Sequence, residues 1–192
     1  MHLYLIRHGE TVWSISGQHT GRTDIPLTAQ GEQDTLALAD GLRRVTFNRA
    51  FTSPRQRARR TSELAGLNVS AQTDDDLAEW DYGDYEGQRS ADIRKSRPDW
   101  NLFRDGCPNG ESPIDVSDRV DRVIGKLRPL RGNIAVFSHG HFGRALVARW
   151  IALPVSAGQH FRLSTASVSI LSYGEQSAEE SAIVLWNALR LN

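Results

Sequence analysis

Cysteine is nearly absent. The single one, Cys107, has no partner for an internal disulfide, and without a CxxC pair the chain offers neither a thiolate zinc site nor a dithiol redox centre; a reducing cytosol suits it. Excess charge is absent too. The 23 basic residues balance 23 acidic ones, which excludes a general affinity for polyanions and speaks against nucleic acid as the main partner. Long apolar runs are also missing. The apolar opening is too short for a signal peptide and is interrupted at Arg7, and no stretch approaches the roughly 20 residues of a membrane-spanning helix. Neither secretion nor a membrane is expected, and a cytoplasmic location is. No internal repeat and no linker divides the 192 residues, and 39% apolar with 24% charged residues suits one globular domain, 1–192, with a single core.

The informative residues are concentrated at the ends of apolar runs. Leu3, Tyr4, Leu5 and Ile6 read as a strand covered on both faces in a parallel sheet, and the run stops abruptly at Arg7, His8 and Gly9. Ligands in open α/β sheets bind beyond the carboxyl ends of such strands. Arg7 and His8 are therefore expected in a binding crevice, with Gly9 letting the backbone turn close to its contents. The arrangement recurs downstream: Asn133 to Phe137 is again a buried-strand pattern, ending in Ser138, His139, Gly140 and His141 and succeeded by helical spacing. Between the two, Arg49 to Thr52 reads as a short strand and Ser53-Pro54 as a helix start, with Ser53 as N-cap and Pro54 at the first helical position. The arginine-rich first turn of that helix opposes its dipole and calls for an anion. Acids among aromatics come next, from Glu79 to Glu86; a solvated face accounts for most of the basic cluster Arg49, Arg55, Arg57, Arg59 and Arg60 and of the acidic cluster Asp74 to Glu86.

Taken in order, Leu5-Ile6-Arg7-His8-Gly9-Glu10-Thr11, Ser53-x3-Arg57-Ala58-x2-Thr61, Leu77-x-Glu79-x2-Tyr82-Gly83-x2-Glu86-Gly87 and Ser138-His139-Gly140 resemble the motifs of the histidine phosphatase (phosphoglycerate-mutase-like) superfamily, over essentially the whole chain. The His139-Gly140-His141-Phe142-x-Arg144 wording, with the Trp80 to Gly87 stretch, is most similar to the branch containing sugar bisphosphatases of the sedoheptulose-bisphosphatase type. The resemblance implies a three-layer α/β/α sandwich around a mainly parallel sheet, with the site at the strand ends. It also implies a small phosphorylated metabolite as substrate and a phosphohistidine route that needs no metal or cofactor. It gives the polar loop from Trp13 to Pro26 a share in the pocket, where Ser14 and Thr20 match substrate-contacting positions and Ser14 stands where mutases usually carry asparagine. The substrate-binding candidates are Ser14, Thr20, Gly21, Tyr82, Gly140 and His141. Residues 88–110, the region where members differ most, read as a lid-like insertion in which Trp100 and Phe103 are expected to pack the flap down.

These residue types suit phosphoryl chemistry on their own terms. A phosphate dianion needs permanently charged donors, and Arg7 and Arg57 offer planar forks. A nucleophile splits a slow hydrolysis into two easier steps, and His8 is the candidate. His139 is expected to donate to the transferring phosphoryl group, and Glu79 to protonate the leaving alkoxide. Glu10 is expected to orient pocket groups or cap locally, and Glu86 to bind backbone amides or an arginine.

Three rival readings stand beside this one. His8, His139, His141 and Glu79 form a metal set by composition, but the flanking arginines repel a divalent cation. Phosphoglycerate-mutase-type transfer is the nearer rival: mutases carry a lysine near position 90, where this chain has Ser90, and no Arg-Arg pair comes after it in the lid. The departure favours hydrolysis. Arg94, Lys95, Arg97 and Arg104 are candidates to bind a second phosphate from the lid. A non-catalytic phosphometabolite-binding protein is the third reading, and a homo-oligomer is compatible with all of them.

The scaffold is expected to include a helix capped by Thr28, a strand over 69–73, a short helix over 91–95, and a helix opened by a Ser112/Asp115 capping box with Val116, Val120, Val123, Ile124 and Leu127 buried. A helix from His141 is expected to end at Pro154, with closing strands over 168–173 and 182–186.

Overall fold

The computed structural model describes residues 1–174 and 180–191. In chain order the elements are β1 (His2–Arg7), α1 (Val12–Ser16), α2 (Ala29–Leu42), β2 (Arg49–Thr52), α3 (Gln56–Ala65), β3 (Ala71–Thr73), α4 (Ser90–Ser96), α5 (Leu102–Asp105), α6 (Pro113–Leu127), β4 (Asn133–Ser138), α7 (Gly140–Trp150), β5 (Val168–Tyr173) and β6 (Ser181–Ala188). The sheet order is β3-β2-β4-β1-β5-β6. β3, β2, β4 and β1 run parallel, and β5 and β6 are antiparallel additions at one side.

Alternation along the central strands produces the layers, because successive side chains point to opposite faces. Leu3 and Leu5 of β1 and Ile134 and Val136 of β4 share one core with Val116 and Val120 of α6 and Phe142 and Leu146 of α7. Ile6, Ala135 and Phe137 share the other with Leu38 and Leu42 of α2 and Ala65 of α3. The result is the three-layer α/β/α sandwich with a mainly parallel sheet. β1 and β4 are neighbours, yet the chain leaves β1 toward the α2 face and β4 toward the α7 face. That divergence opens a crevice at their carboxyl ends.

Local signals explain most of the helices. Ser112 and Asp115 form the expected capping box, with Pro113 at the first helical position, and all five residues of the α6 stripe are buried. The Thr28 hydroxyl accepts from Gly31 N and donates to Glu10 Oε1 at 2.7 Å, so Glu10 serves the cap of α2. Gly9 faces inward against α2: a Cβ there would lie 2.5 Å from the Gly31 carbonyl oxygen. Its smallness admits a helix, and it does not line the ligand cavity.

Several expected boundaries move. α3 begins at Gln56 with Arg55 at the capping position, so neither Ser53 nor Pro54 opens it. The loop expected over 13–26 includes α1, capped reciprocally by Thr11 and Ser14. The strand expected over 69–73 shortens to Ala71–Thr73. α7 ends at Trp150, well before Pro154, where Ile151 leaves helical geometry.

Candidate active site

Register brings the two histidines together. In the β1/β4 ladder Arg7 pairs with Ser138, and His8 N donates to the Ser138 carbonyl at 3.0 Å, so His8 and His139 leave adjacent strand ends side by side. Their ring centroids are 5.2 Å apart, inclined at 62°. His8 Nδ1 lies 2.7 Å from the Gly9 carbonyl oxygen, which can only accept; Nδ1 therefore carries the ring proton and Nε2 keeps a lone pair. Burial, with Arg57 and Arg7 nearby, holds the His8 imidazole well below its ordinary pKa and hence neutral.

His139 is wholly buried. Its Nδ1 accepts from Arg57 Nε at 3.2 Å and its Nε2 lies 2.7 Å from Ser53 Oγ. Burial first, then Arg57, keeps it neutral as well. Arg57 is itself fully buried; Nη2 donates to the carbonyls of Thr20 and Gly21, and Nη1 to that of Thr23. Thr61, the last residue of the same motif, accepts from Gly9 N at 3.0 Å and donates to the Arg57 carbonyl. It clamps α3 to the chain leaving β1.

A cavity of about 210 Å³ opens above this pair, lined among others by Arg7, His8, Ser14, His19, Thr20, Glu79, Tyr82, Ser90, Gly140, His141 and Arg144. Arg57 and His139 lie beneath its wall, and Gly21 faces Trp80 and Glu86 instead. Arg7 donates from Nη1 to the Leu163 carbonyl, while its buried Nε has no partner. Gly140 is what lets that guanidinium lie against the start of α7, since a Cβ there would come within 3.1 Å of Arg7 Cζ.

Glu79 docks on the same helix start. Oε1 accepts from Trp80 N and Phe142 N, and Oε2 from His141 N at 3.0 Å. The two α7 amides would otherwise be unpaired at the helix N-terminus. Three donors on four lone pairs leave Oε2 one position for a proton. Glu86 accepts from Gly21 N and Thr23 N, the amide-binding role expected of it.

The far side of the cavity is aromatic, with neutral histidines beside Arg144. Tyr82 OH and His141 Nδ1 are hydrogen-bonded at 2.6 Å, with the phenol pushed well up and the imidazole well down by burial. His19, which sequence reasoning passed over, is 6% exposed, stacks on Tyr82 at 4.6 Å, and meets Ser90 Oγ through Nε2 at 3.2 Å. Burial, aided by Arg94, lowers its pKa to about 4. A lone histidine in a glycine-flanked loop gives no periodic signal. Arg144 was also missed, although its position four residues after Gly140 places it on the same helix face. It lies 4.7 Å over the Phe103 ring and donates to the carbonyls of Gly158 and Gln159.

The lid cations do not enter the cavity. Lys95 pairs with Asp92, Arg104 with Asp105, Arg97 donates to Tyr85 OH, and Arg94 to the Trp100 carbonyl. Each found a closer acceptor, so the second-phosphate role expected of them is not seen. Trp100 and Phe103 are buried and pack the segment down, as expected. Cys107 is buried and its thiol is pushed up to about 12 by burial, which keeps it protonated and inert. Among the described residues, His8, His139, His141 and Glu79 do not converge as a metal-ligand group.

The sequence model of the histidine phosphatase superfamily (branch 1) matches residues 3–188. The chain belongs to that superfamily. Among its relatives, this histidine phosphatase is 41% identical over 186 residues to an acid phosphatase of Mycobacterium tuberculosis, covering 95% of this chain and 91% of that one. It is 39% identical over 186 residues to sedoheptulose 1,7-bisphosphatase of Saccharomyces cerevisiae, covering 79% of this chain and 68% of the relative. A protein named as a probable phosphoglycerate mutase of Salmonella choleraesuis is 30% identical over 187 residues, covering 91% and 86%. The solved structure of an open reading frame product of Mycobacterium tuberculosis superposes with a TM-score of 0.91 at 37% identity, covering 97% of each chain. The protein is thus a phosphatase, a phosphoric monoester hydrolase of small phosphorylated metabolites. No helix among the described residues is long and apolar enough to cross a membrane.

Proposed function

We propose that this histidine phosphatase hydrolyses sugar phosphates and bisphosphates through a phosphohistidine at His8, without a metal. The observation that carries the reading is the protonation of His8: with Nδ1–H held by the Gly9 carbonyl, the bare Nε2 belongs to a neutral ring in a wall of the cavity. The phosphate dianion binds at Arg7, whose buried Nε is unpartnered, with Arg57 adding charge from below. Nε2 attacks phosphorus and the P–O bond to the alcohol breaks. His139 donates to the phosphoryl oxygens in transit, and Glu79 gives its proton to the departing alkoxide. Water then attacks the phosphohistidine, its proton goes to Glu79, and phosphate leaves.

The alcohol half of the substrate would occupy the aromatic side, with Ser14, Thr20, His19, Tyr82, Ser90, Gly140 and His141 as neighbours. Among the described residues Arg144 Nη1 makes no hydrogen bond and no carboxylate pairs with this guanidinium. One spare cation at that end favours a second anionic group, in keeping with the bisphosphate named for the yeast relative. Mutase-type transfer is supported by the Salmonella relative; Ser90 at the cavity edge and the outward lid cations weigh toward hydrolysis. We read the chain as one domain, 1–192, with 88–110 folded over the cavity. A cytoplasmic location accords with its free buried thiol, and a homo-oligomer with the uncharged edge strand β6, where Val184 is 57% exposed.

The test is phosphate release from sugar phosphates, sugar bisphosphates, phosphoglycerates and p-nitrophenyl phosphate in excess chelator, for wild type and His8→Ala. Hydrolysis that survives chelation and is abolished in the variant supports the route; interconversion of phosphoglycerates without release assigns a mutase.

A further inference from the structure

Ser53 was expected to open α3, and the helix does not use it. The first helical amide, Gln56 N, is taken by Asp24 Oδ1 at 2.8 Å, and Arg55 makes no side-chain cap. Asp24, brought in from the preceding loop, takes the role expected of the serine. The Ser53 hydroxyl oxygen, which accepts from Arg55 N at 3.3 Å just ahead of the helix, has a second and shorter contact to His139 Nε2 at 2.7 Å.

Arg57 gives this contact its direction. A guanidinium keeps its protons in a protein, so Nε donates to His139 Nδ1 and that nitrogen is bare. The ring is neutral, hence its one proton sits on Nε2 and is donated to Ser53 Oγ. Ser53 is held by the sheet: its N–H donates to the Phe137 carbonyl at 3.0 Å, on the strand that leads into His139. Thr52 pairs with Phe137 in the β2/β4 ladder. The separation of hydroxyl and ring is therefore set by strand register. Both residues have no exposed surface, so no water replaces either partner without cost.

We propose that Ser53 is a positioning residue for the hydrolysis assigned to this site: it holds His139 as the Nε2–H tautomer, ring angle fixed beside His8, so that the phosphoryl donor is set before substrate arrives. The inference rests on the phosphohistidine reading for its catalytic consequence. Once substrate binds, the N–H is shared between Ser53 Oγ and a phosphoryl oxygen, a three-centre arrangement. Without the hydroxyl, Arg57 alone orients the ring, and the donor is one of several ring states.

The experiment compares wild type, Ser53→Ala and Ser53→Thr by kcat, KM, thermal unfolding and the ring 15N resonances of His139 in the substrate-free enzyme. Expected for Ser53→Ala is a loss of about 10- to 100-fold in kcat, smaller than the roughly 100- to 1,000-fold cost of removing a transition-state donor outright because His139 itself stays in place, with KM within about twofold. Its His139 resonances should leave the pure Nε2–H pattern of wild type. Ser53→Thr, which keeps the hydroxyl, should recover most of kcat. Unchanged kcat and an unchanged tautomer in Ser53→Ala would overturn the proposal. So would a fall in kcat explained by a matching loss of folded protein with the tautomer intact. If wild type forms no phosphohistidine the catalytic reading fails instead, and the resonances still decide whether Ser53 sets the ring. Should the threonine variant not fold, the alanine variant and its spectra carry the decision.

Discussion

Arg57 Nε donates to His139 Nδ1 at 3.2 Å while the same guanidinium holds the carbonyls of Thr20, Gly21 and Thr23. One side chain thereby keeps Nδ1 of the second histidine bare, complementing the Ser53 hydroxyl at Nε2, and ties down the loop that forms a wall of the cavity. No other cation reproduces this, because a planar fork reaches four acceptors and an ammonium does not.

Arg57→Lys is expected to lower kcat by at least about 100-fold, as for loss of a preorganised donor. It also strands buried carbonyls, so the folded state should lose about 3–5 kcal/mol, the scale for breaking a buried charged network. Activity assays and denaturant unfolding of the same preparation check both; normal kcat in a stable Lys variant would remove Arg57 from the proposed machinery.

Stability should fall on acidification through histidine. His8, His139 and His141 have folded-state values well below 6.5, and His19 lies at about 4. Each contribution is fully present above the unfolded value of 6.5 and is lost as pH falls toward the folded one, because the unfolded chain takes up the proton first. For His19 the window is 6.5 to about 4, corresponding to about 3 kcal/mol at its lower end. His19→Asn should flatten the dependence of unfolding midpoint on pH in that window. The depressed His8 value has a kinetic counterpart: kcat should hold through pH 6.5, and an acid limb centred there would contradict a neutral buried nucleophile.

Much of this arrangement is legible in the chain because it depends on short-range pattern. Leu3 to Ile6 and Ile134 to Phe137 announce buried strands, and the residues just beyond the carboxyl end of a buried strand in an α/β sheet meet the ligand. The rest depends on partners that local pattern does not name. Ser53-Pro54 carries a good helix-start signature, and it failed because Asp24 supplied the acceptor from elsewhere. The lid arginines suggested a second phosphate site, and each was captured by an acid, a hydroxyl or a carbonyl nearby. His19 had no pattern at all; only the pairing of its loop with Gly87 and Gln88 places it on Tyr82.

Arg144→Gln should separate substrates by charge. The side chain keeps polar reach toward the Gly158 and Gln159 carbonyls while losing the cation. Hydrolysis of p-nitrophenyl phosphate, which has no second anion, should change less than about threefold, whereas kcat/KM for a sugar bisphosphate should fall about 10- to 100-fold, the scale of a charge-assisted hydrogen bond. Equal losses on both substrates would assign Arg144 to packing over Phe103.

Glu79→Gln bears on the proton itself. The carboxylate accepts three backbone amides, and an amide side chain can satisfy them only through its oxygen, because its NH2 group opposes a donor. Some loss of stability is therefore expected for any substrate, and the informative quantity is a ratio. An alkoxide leaving from a sugar phosphate needs a proton, whereas p-nitrophenolate departs without one. If Glu79 is the acid, the sugar phosphate should lose about 100- to 10,000-fold in kcat and p-nitrophenyl phosphate far less. If the carboxylate serves only to anchor the start of α7, both substrates will decline together, tracking the fraction of folded enzyme.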